Sequence, residues 1–290
     1  TIYGGLSIVL TRMTRILEIC PKDMVARVEA GVTNLAVSHA AAPFDLYFAP
    51  DPSSQSASTI GGNLAENSGG AHTLKYGMTI HHVLSATVVL PNGDVTTFGG
   101  RAKDKLSLDL LGVVVGSEGT LGIATEATVR LLQRSRAVET MLAYFPEVSA
   151  GGQADSKIVA AGVAPAATEM IGKLTLNAVE DYLQMGLNRD AGALLIVELD
   201  GAPESIKVQR EIVEECVNNN GAISLSWAKD ADERAKIWKA RKTSFGALGR
   251  IAPNGYVLDG VIPRSKLKDA IETIDLIGKK HNLLIANVYH

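Results

Sequence analysis

Cysteine is scarce in this sequence. Cys20 and Cys216 stand far apart with no metal-like spacing, which suits a reducing cytoplasm and makes each a small core hydrophobe before a nucleophile. A strong charge of one sign is lacking too. The formal net charge is −3, and basic residues neither run together nor interleave with aromatics, so nucleic acid is excluded as a partner. No apolar run approaches the roughly 18 residues of a membrane span, and the first residues lack the charged-then-apolar pattern of a secretion signal. Two phosphate-binding signatures are missing: neither GxxxxGK[ST] nor GxGxxG with a downstream acid occurs, which disfavours Rossmann and kinase-like nucleotide sites. Internal repeats and low-complexity tracts are absent.

What is present is ordinary globular composition, 46% hydrophobic and 20% charged over 290 residues, enough for two domains. Residues 1–134 are strand-rich. SIVL, ARVEAGV and ATVVLPNGDVTTFGG are short β-like runs, Pro91-Asn92-Gly93-Asp94 is a hairpin turn, and TEATVRLL is a further strand. From about residue 135 strands alternate with helix-spaced segments. ETMLAYF, ATEMI, GALLIVELDG, AISLSW, YVLDGVIP and LLIANVY read as strands. LTLNAVEDYLQ, SIKVQREIVEECVNN, DADERAKIWKARKTSFGAL and SKLKDAIETIDLIGKKH read as helices. The class is α+β, with helices expected mainly on one side of the second sheet; alternation alone leaves parallel winding and a split, ferredoxin-like order both open. The polar run Gln133–Arg136 marks the boundary between domains 1–134 and 135–290. Thr1 is not a start methionine, and ANVYH ends the chain straight after an apolar strand. The chain is therefore expected to be a piece of a longer protein.

Glycine concentrates in three short stretches: Ile60-Gly61-Gly62-Asn63, Ser68-Gly69-Gly70, and Gly116-Ser117-Glu118-Gly119-Thr120-Leu121-Gly122. Glycine permits positive φ and close approach of another body, and consecutive amides in such a loop form a concave donor site suited to a pyrophosphate. Pro50-Asp51-Pro52-Ser53-Ser54 adds a rigid turn with hydroxyls, and the Glu118 carboxylate suits the hydroxyls of a ribose. Taken singly, each loop is better read as a tight turn in a β-rich domain. Together they suit the wall of one long nucleotide groove.

PDPSSQSASTIGGNLAENSGGAHTLKYG, followed by VVLPNGDV and GSEGTLGI, closely resembles the FAD-linked oxidase family, which shares the vanillyl-alcohol oxidase fold. The resemblance covers nearly the whole chain and is nearest to the glycolate- and D-lactate-oxidising branch. It implies a partial FAD-binding domain of PCMH type, lacking an N-terminal glycine-rich segment, and an α+β cap domain with an antiparallel, ferredoxin-like sheet, lacking its C-terminal segment. FAD is the implied cofactor. By resemblance Gly61, Gly62 and Asn63 face the pyrophosphate, with Asp51 and Ser54 nearby. Asn67, Gly69, Gly70, Tyr76 and Gly77 approach the flavin, and Glu118, Gly122 and Ile123 the adenosine end.

Read from its residues alone, Trp238-Lys239-Ala240-Arg241-Lys242 is a solvated helix face. The resemblance makes Arg241 a catalytic-site residue that clamps a substrate carboxylate, a task the planar guanidinium performs better than lysine. Arg264 is balanced between a structural ion pair and a place at the site. His290 corresponds to the first histidine of the relatives' His-x-Gly-Asp-x-Asn-x-His segment, whose two histidines can hold a divalent metal such as zinc. Alone it does not make a metal site, but the resemblance marks it as catalytic and metal-ligating in an intact protein. His72, His81 and His82 suit surface or satisfied polar roles.

The implied reaction is oxidation of a 2-hydroxy acid to the 2-oxo acid by hydride transfer to flavin. Val257 stands where dicarboxylate-oxidising relatives carry a lysine, which points to a monocarboxylate such as glycolate or D-lactate. The resemblance further implies flavin-domain and iron–sulfur partner subunits and a cytoplasmic location, peripheral to the inner membrane through those partners. The competing readings are a truncated or non-catalytic homologue that keeps the fold without flavin, and a nicotinamide dehydrogenase, which the missing fingerprint disfavours. The 290-residue piece alone is expected to bind FAD weakly or not at all, and to be inactive.

Overall fold

The computed structural model describes residues 4–102, 108–252, 254–263 and 266–289. The chain divides into two compact units, residues 1–134 and 135–290.

The first unit begins with β1 (Ile16–Cys20), β2 (Val25–Glu29), α1 (Asn34–Ala41) and β3 (Leu46–Tyr47). There follow α2 (Ile60–Glu66), α3 (Thr73–Tyr76), β4 (Val83–Val89), β5 (Val95–Gly99), α4 (Leu110–Val114), β6 (Ile123–Arg130) and β7 (Leu132–Gln133). Five strands form an antiparallel sheet in the order β1-β2-β6-β4-β5. The β4–β5 hairpin turns where the sequence predicts: Leu90 N–H donates to Asp94 O at 2.8 Å, and Gly93 takes φ +88°, which a side chain would resist. Ala26, Val28, Val88 and Val129 pack with Val37 of α1 and with Ile60 and Leu64 of α2 in one core. The expected strand at SIVL is irregular, and Leu6, Ile8 and Val9 are exposed. A strand needs a ladder partner, and none of the described strands lies beside it.

The second unit runs β8 (Ala137–Phe145), α5 (Val148–Ala160), β9 (Ala167–Gly172), α6 (Lys173–Leu183), β10 (Ala193–Gly201) and α7 (Pro203–Asn219). It continues through β11 (Ser224–Trp227), α8 (Ala231–Lys242), α9 (Ser244–Leu248), α10 (Leu267–His281) and β12 (Val288–Tyr289). Every pairing is antiparallel in the order β11-β8-β10-β9-β12. Its first four strands have the ferredoxin-like arrangement, with α6 inserted between β9 and β10.

Helices cover both faces of this sheet, not mainly one. Met141, Phe145, Leu195, Val197 and Leu199 pack with Ile158 of α5, Val213 of α7 and Ile271 of α10. On the other face Ile171, Leu194 and Ile196 meet Leu176 of α6, Ile237 of α8 and Ala247 of α9. The reason is visible in β10: ALLIV is apolar at successive positions, so neither face can be left to water. On β11, Trp227 lies under the Arg210 guanidinium at 4.6 Å and donates its indole N–H to Glu214 at 2.7 Å. The expected strand YVLDGVIP is irregular and exposed, with Tyr256, Leu258 and Val261 in solvent, and LLIANVY contributes only two paired residues. The long predicted helix after Asp230 divides at Thr243 into α8 and α9. Among the described residues no helix is long and apolar enough to cross a membrane.

Two outcomes follow for stability. A Cβ at Gly192 would lie 1.9 Å from the Pro146 carbonyl oxygen, whereas one at helical Gly246 would meet nothing within 4 Å. Gly192→Ala should cost about 1–3 kcal/mol by overpacking, and Gly246→Ala should gain up to about 1 kcal/mol through helix propensity, both read by thermal unfolding. Glu180 accepts the amides of Met185, Gly186 and Leu187 at 3.0, 2.9 and 3.0 Å. Desolvation opposes ionisation, but those three amides and Arg189 outweigh it and hold the carboxyl below its usual range. A depressed folded value means stability present above the unfolded pKa of about 4.3 and lost as pH falls through the folded one. Glu180→Gln should therefore flatten the acid limb of the melting-temperature profile.

Candidate functional site

The glycine-bearing segments of the first unit are built around α2. Thr59 has extended backbone, and its Oγ1 accepts Gly62 N–H at 3.2 Å, capping the helix. Ile60-Gly61-Gly62-Asn63 is thus the first turn of a helix rather than a loop. Neither Gly61 nor Gly62 has positive φ. Gly61 is needed for contact: a Cβ there would sit 2.8 Å from Ala30 Cβ. The Ile60 and Gly61 amides donate to Val32 O and Ala30 O, each at 2.8 Å. With Gly62 held by Thr59, these three donors are engaged within the chain. What Gly62 offers outward is an open Cα, whose Cβ would meet only Thr59 Oγ1 at 3.4 Å. Asn63 is buried, and its Nδ2 has no hydrogen-bond partner among the described residues.

The C-terminal end of α2 gathers the other segments. Asn67 closes it at φ +49° and accepts Ile80 N–H on Oδ1 at 2.9 Å. Gly116 N–H donates to Leu64 O and Glu118 N–H to Ala65 O, both at 2.9 Å. The turn around Glu118 therefore supplies donors to the helix-end carbonyls, of which Leu64 O otherwise has only the Asn67 amide at 3.4 Å. Glu118 itself is exposed at φ +52°, and Gly122 and Ile123 lead into β6 with Gly122 against Val88. Asp51 holds the opposite flank: Oδ1 accepts His72 N–H at 3.2 Å, and Oδ2 lies 2.9 Å from His72 Nδ1. A Cβ at Gly70 would fall 2.4 Å from the Asp51 carbonyl carbon. The Ser54 carbonyl closes its own turn by accepting the Ala57 and Ser58 amides at 2.8 and 2.7 Å. Gly69 abuts Thr73, which caps the Gly70 amide at 2.7 Å. Tyr76 packs edge-on to Tyr47 at 6.3 Å, and Gly77 ends α3 at φ +84°. His82 is fully buried with Nε2 2.8 Å from Tyr76 O, and burial pushes its imidazole below the ordinary pKa.

Contacts thus tie Asp51 to residues 70 and 72, residues 67 and 68 to the end of α2, and the Glu118 turn to the same helix end. A separate open cleft of about 420 Å³, lined by Leu84, Gly100, Asp109, Leu111 and Arg130 among others, contains none of these residues.

In the second unit, α8 carries Arg241. Asp230 caps this helix by accepting Glu233 N–H at 2.8 Å, acids occupy its first turn and bases its last, as the helix dipole favours. Arg241 is not on a solvated face: it is 8% exposed, beside Ile237 and Ala240. Its Nε donates to Glu169 Oε2 on β9 at 2.6 Å. One turn earlier, Trp238 donates its indole N–H to Glu198 on β10, which also accepts Thr140 Oγ1 at 2.6 Å. Sequence reasoning missed Glu169 and Glu198. The available signal was a carboxylate inside two otherwise apolar strands, where it demands a partner. Val257 is 66% exposed on the irregular 254–263 segment. His290 and Arg264 lie outside the described residues. Among the described residues no group of three or more His, Cys, Asp or Glu could hold a metal ion.

Residues 1–99 match the family described as FAD binding domain, and residues 134–290 match FAD linked oxidases, C-terminal domain. Glu118, Gly122 and Ile123 lie between those spans. The chain is 43% identical over 286 residues to glycolate oxidase subunit GlcD of Escherichia coli K12, covering 99% of this chain and 57% of the relative. It is 38% identical to GlcD of Bacillus subtilis 168, covering 99% of this chain and 61% of that one. A probable mitochondrial D-lactate dehydrogenase of Danio rerio is 29% identical over 93% of this chain and 55% of its own. The chain spans less than two thirds of the length of each. In fold it is similar to the solved structure of 4-ethylphenol oxidase from Gulosibacter chungangensis, with TM-score 0.75 and 18% identity, over 97% of this chain and 62% of the other. The two matched spans cover most of the chain, one of them more than half of it: this chain belongs to the FAD-linked oxidase family.

Proposed function

We propose that this chain is the flavin-carrying part of an FAD-dependent 2-hydroxy-acid dehydrogenase, acting on a monocarboxylate such as glycolate or D-lactate. The observation that carries the reading is the docking of the Glu118 turn on α2, through Gly116 and Glu118 to Leu64 and Ala65. It makes one wall of segments some fifty residues apart in sequence. Family membership supports FAD as the group along that wall, and the names of the relatives support the substrate class.

The residues fit such a group at particular points. Gly62 presents a surface with no side chain, and the unpartnered Nδ2 of buried Asn63 is a donor suited to a phosphate or ring oxygen. The exposed Glu118 carboxylate suits ribose hydroxyls. Asp51 and His72 fix the turn that Gly70 touches. FAD, when bound, would supply the two-electron acceptor that oxidation of a 2-hydroxy acid requires. Arg241 would hold the substrate carboxylate. His290 would enter as a metal ligand, such as for zinc, only alongside donors beyond the described residues. Because the GlcD relatives are named as subunits, the reading includes assembly with flavin-domain and iron–sulfur partners and a cytoplasmic site peripheral to a membrane.

Anaerobic addition of glycolate or D-lactate to the FAD-loaded full-length protein should bleach the flavin absorbance, and D-2-hydroxyglutarate should do so poorly. Failure of all three to reduce the flavin would overturn the activity. For the cofactor wall, Gly62→Leu should leave the apoprotein melting temperature intact yet weaken FAD binding by about tenfold or more, roughly 1.4 kcal/mol. Undiminished FAD affinity in that variant would remove Gly62 from the site.

A further inference from the structure

Resting on the reading of Arg241 as a carboxylate clamp, we infer that Glu169 is the positioning residue that aims it, and that the substrate carboxylate is taken end-on by Nη1 and Nη2. A guanidinium can present two donor pairs to a carboxylate, one through Nε and an Nη, the other through both Nη atoms. Here Nε is committed to Glu169 Oε2 at 2.6 Å, while Nη1 and Nη2 have no hydrogen bond among the described residues. Only the terminal pair is left for a second carboxylate.

The anchor is rigid. Glu169 lies on β9 between β10 and β12, directly opposite Ile196, and its side chain is 1% exposed. Two residues along the same face, Glu198 pairs opposite Ala167 and receives the indole N–H of Trp238, three residues before Arg241. Two acids on adjacent strands therefore hold two donors on adjacent turns of α8. Helix rotation and guanidinium rotation are both suppressed before any ligand arrives, which lowers the ordering cost of binding.

Stability does not account for this pair. A buried ion pair recovers its desolvation cost poorly and is often replaced by apolar residues without loss. The adjoining face of the sheet is lined by Ile171, Leu194 and Ile196, so an apolar residue at 169 would continue the packing. Glu169 also carries a cost for anion binding, since its charge opposes that of an incoming carboxylate. A residue kept for attraction alone would not be an acid. The requirement it meets is orientation.

The test uses the FAD-loaded full-length protein and oxalate, a non-reacting dicarboxylate probe, with affinity measured by calorimetry beside kcat, KM and melting temperature. Glu169→Ala should weaken oxalate and raise KM by about tenfold, with kcat changed less. Glu169→Gln keeps an oxygen acceptor for Nε and removes the charge, so it should recover most of that affinity. Arg241→Lys should weaken oxalate as much as Glu169→Ala, because lysine has no fork. If Arg241→Lys binds oxalate as the wild type does, the clamp reading itself falls. If Arg241→Lys is impaired while Glu169→Ala is not, only the role of Glu169 falls. Loss in Glu169→Gln as deep as in Glu169→Ala would also overturn orientation as its task. Should Glu169→Ala fail to fold, Glu169→Leu, which fills the site but cannot accept from Nε, takes its place in each comparison.

Discussion

The end of a seven-residue helix carries more of this molecule than its length suggests. The last carbonyls of α2 need donors from outside the helix, and Gly116 and Glu118 provide them. Without those bonds the Glu118 turn would have no fixed place, because the residue itself is exposed and its backbone is in the left-handed region. With them, a local shortage of hydrogen-bond donors becomes a long-range contact. The surface proposed for the cofactor is the outer side of that contact. Asp51 does the corresponding work at the other flank by holding the His72 amide and ring.

The second unit solves a different problem. Its central strand is apolar on both faces, so helices must cover both. Burying Glu169 and Glu198 in one of those interfaces obliges the covering helix to bring donors, and α8 brings a guanidinium and an indole. Polar demand inside a dry interface thus selects one rotation and one height for the helix. An apolar interface of the same area would tolerate sliding.

The order of strands and helices was largely legible in the sequence, because turn residues and periodicity coincide in segments such as the β4–β5 hairpin and the α6–β10 pair. Three segments were not. SIVL and YVLDGVIP have strand composition, but composition cannot supply a ladder partner. Ile60-Gly61-Gly62-Asn63 has loop composition, yet the Thr59 cap and the fit of Gly61 against Ala30 make it helical; tertiary contact overrides local propensity. At the candidate site the family resemblance singled out Arg241, but its partner could not be read. Glu169 precedes Arg241 by 72 residues, and only the fold brings them together.

Both tryptophans of the chain, Trp227 and Trp238, belong to the second unit, on opposite faces of one sheet. Each donates its indole N–H to a carboxylate. Indole emission consequently witnesses only half of this polypeptide. It senses a loosening of the β8–β11 edge through Trp227 and a loosening of α8 through Trp238, while the α2 side carries no indole to report on it.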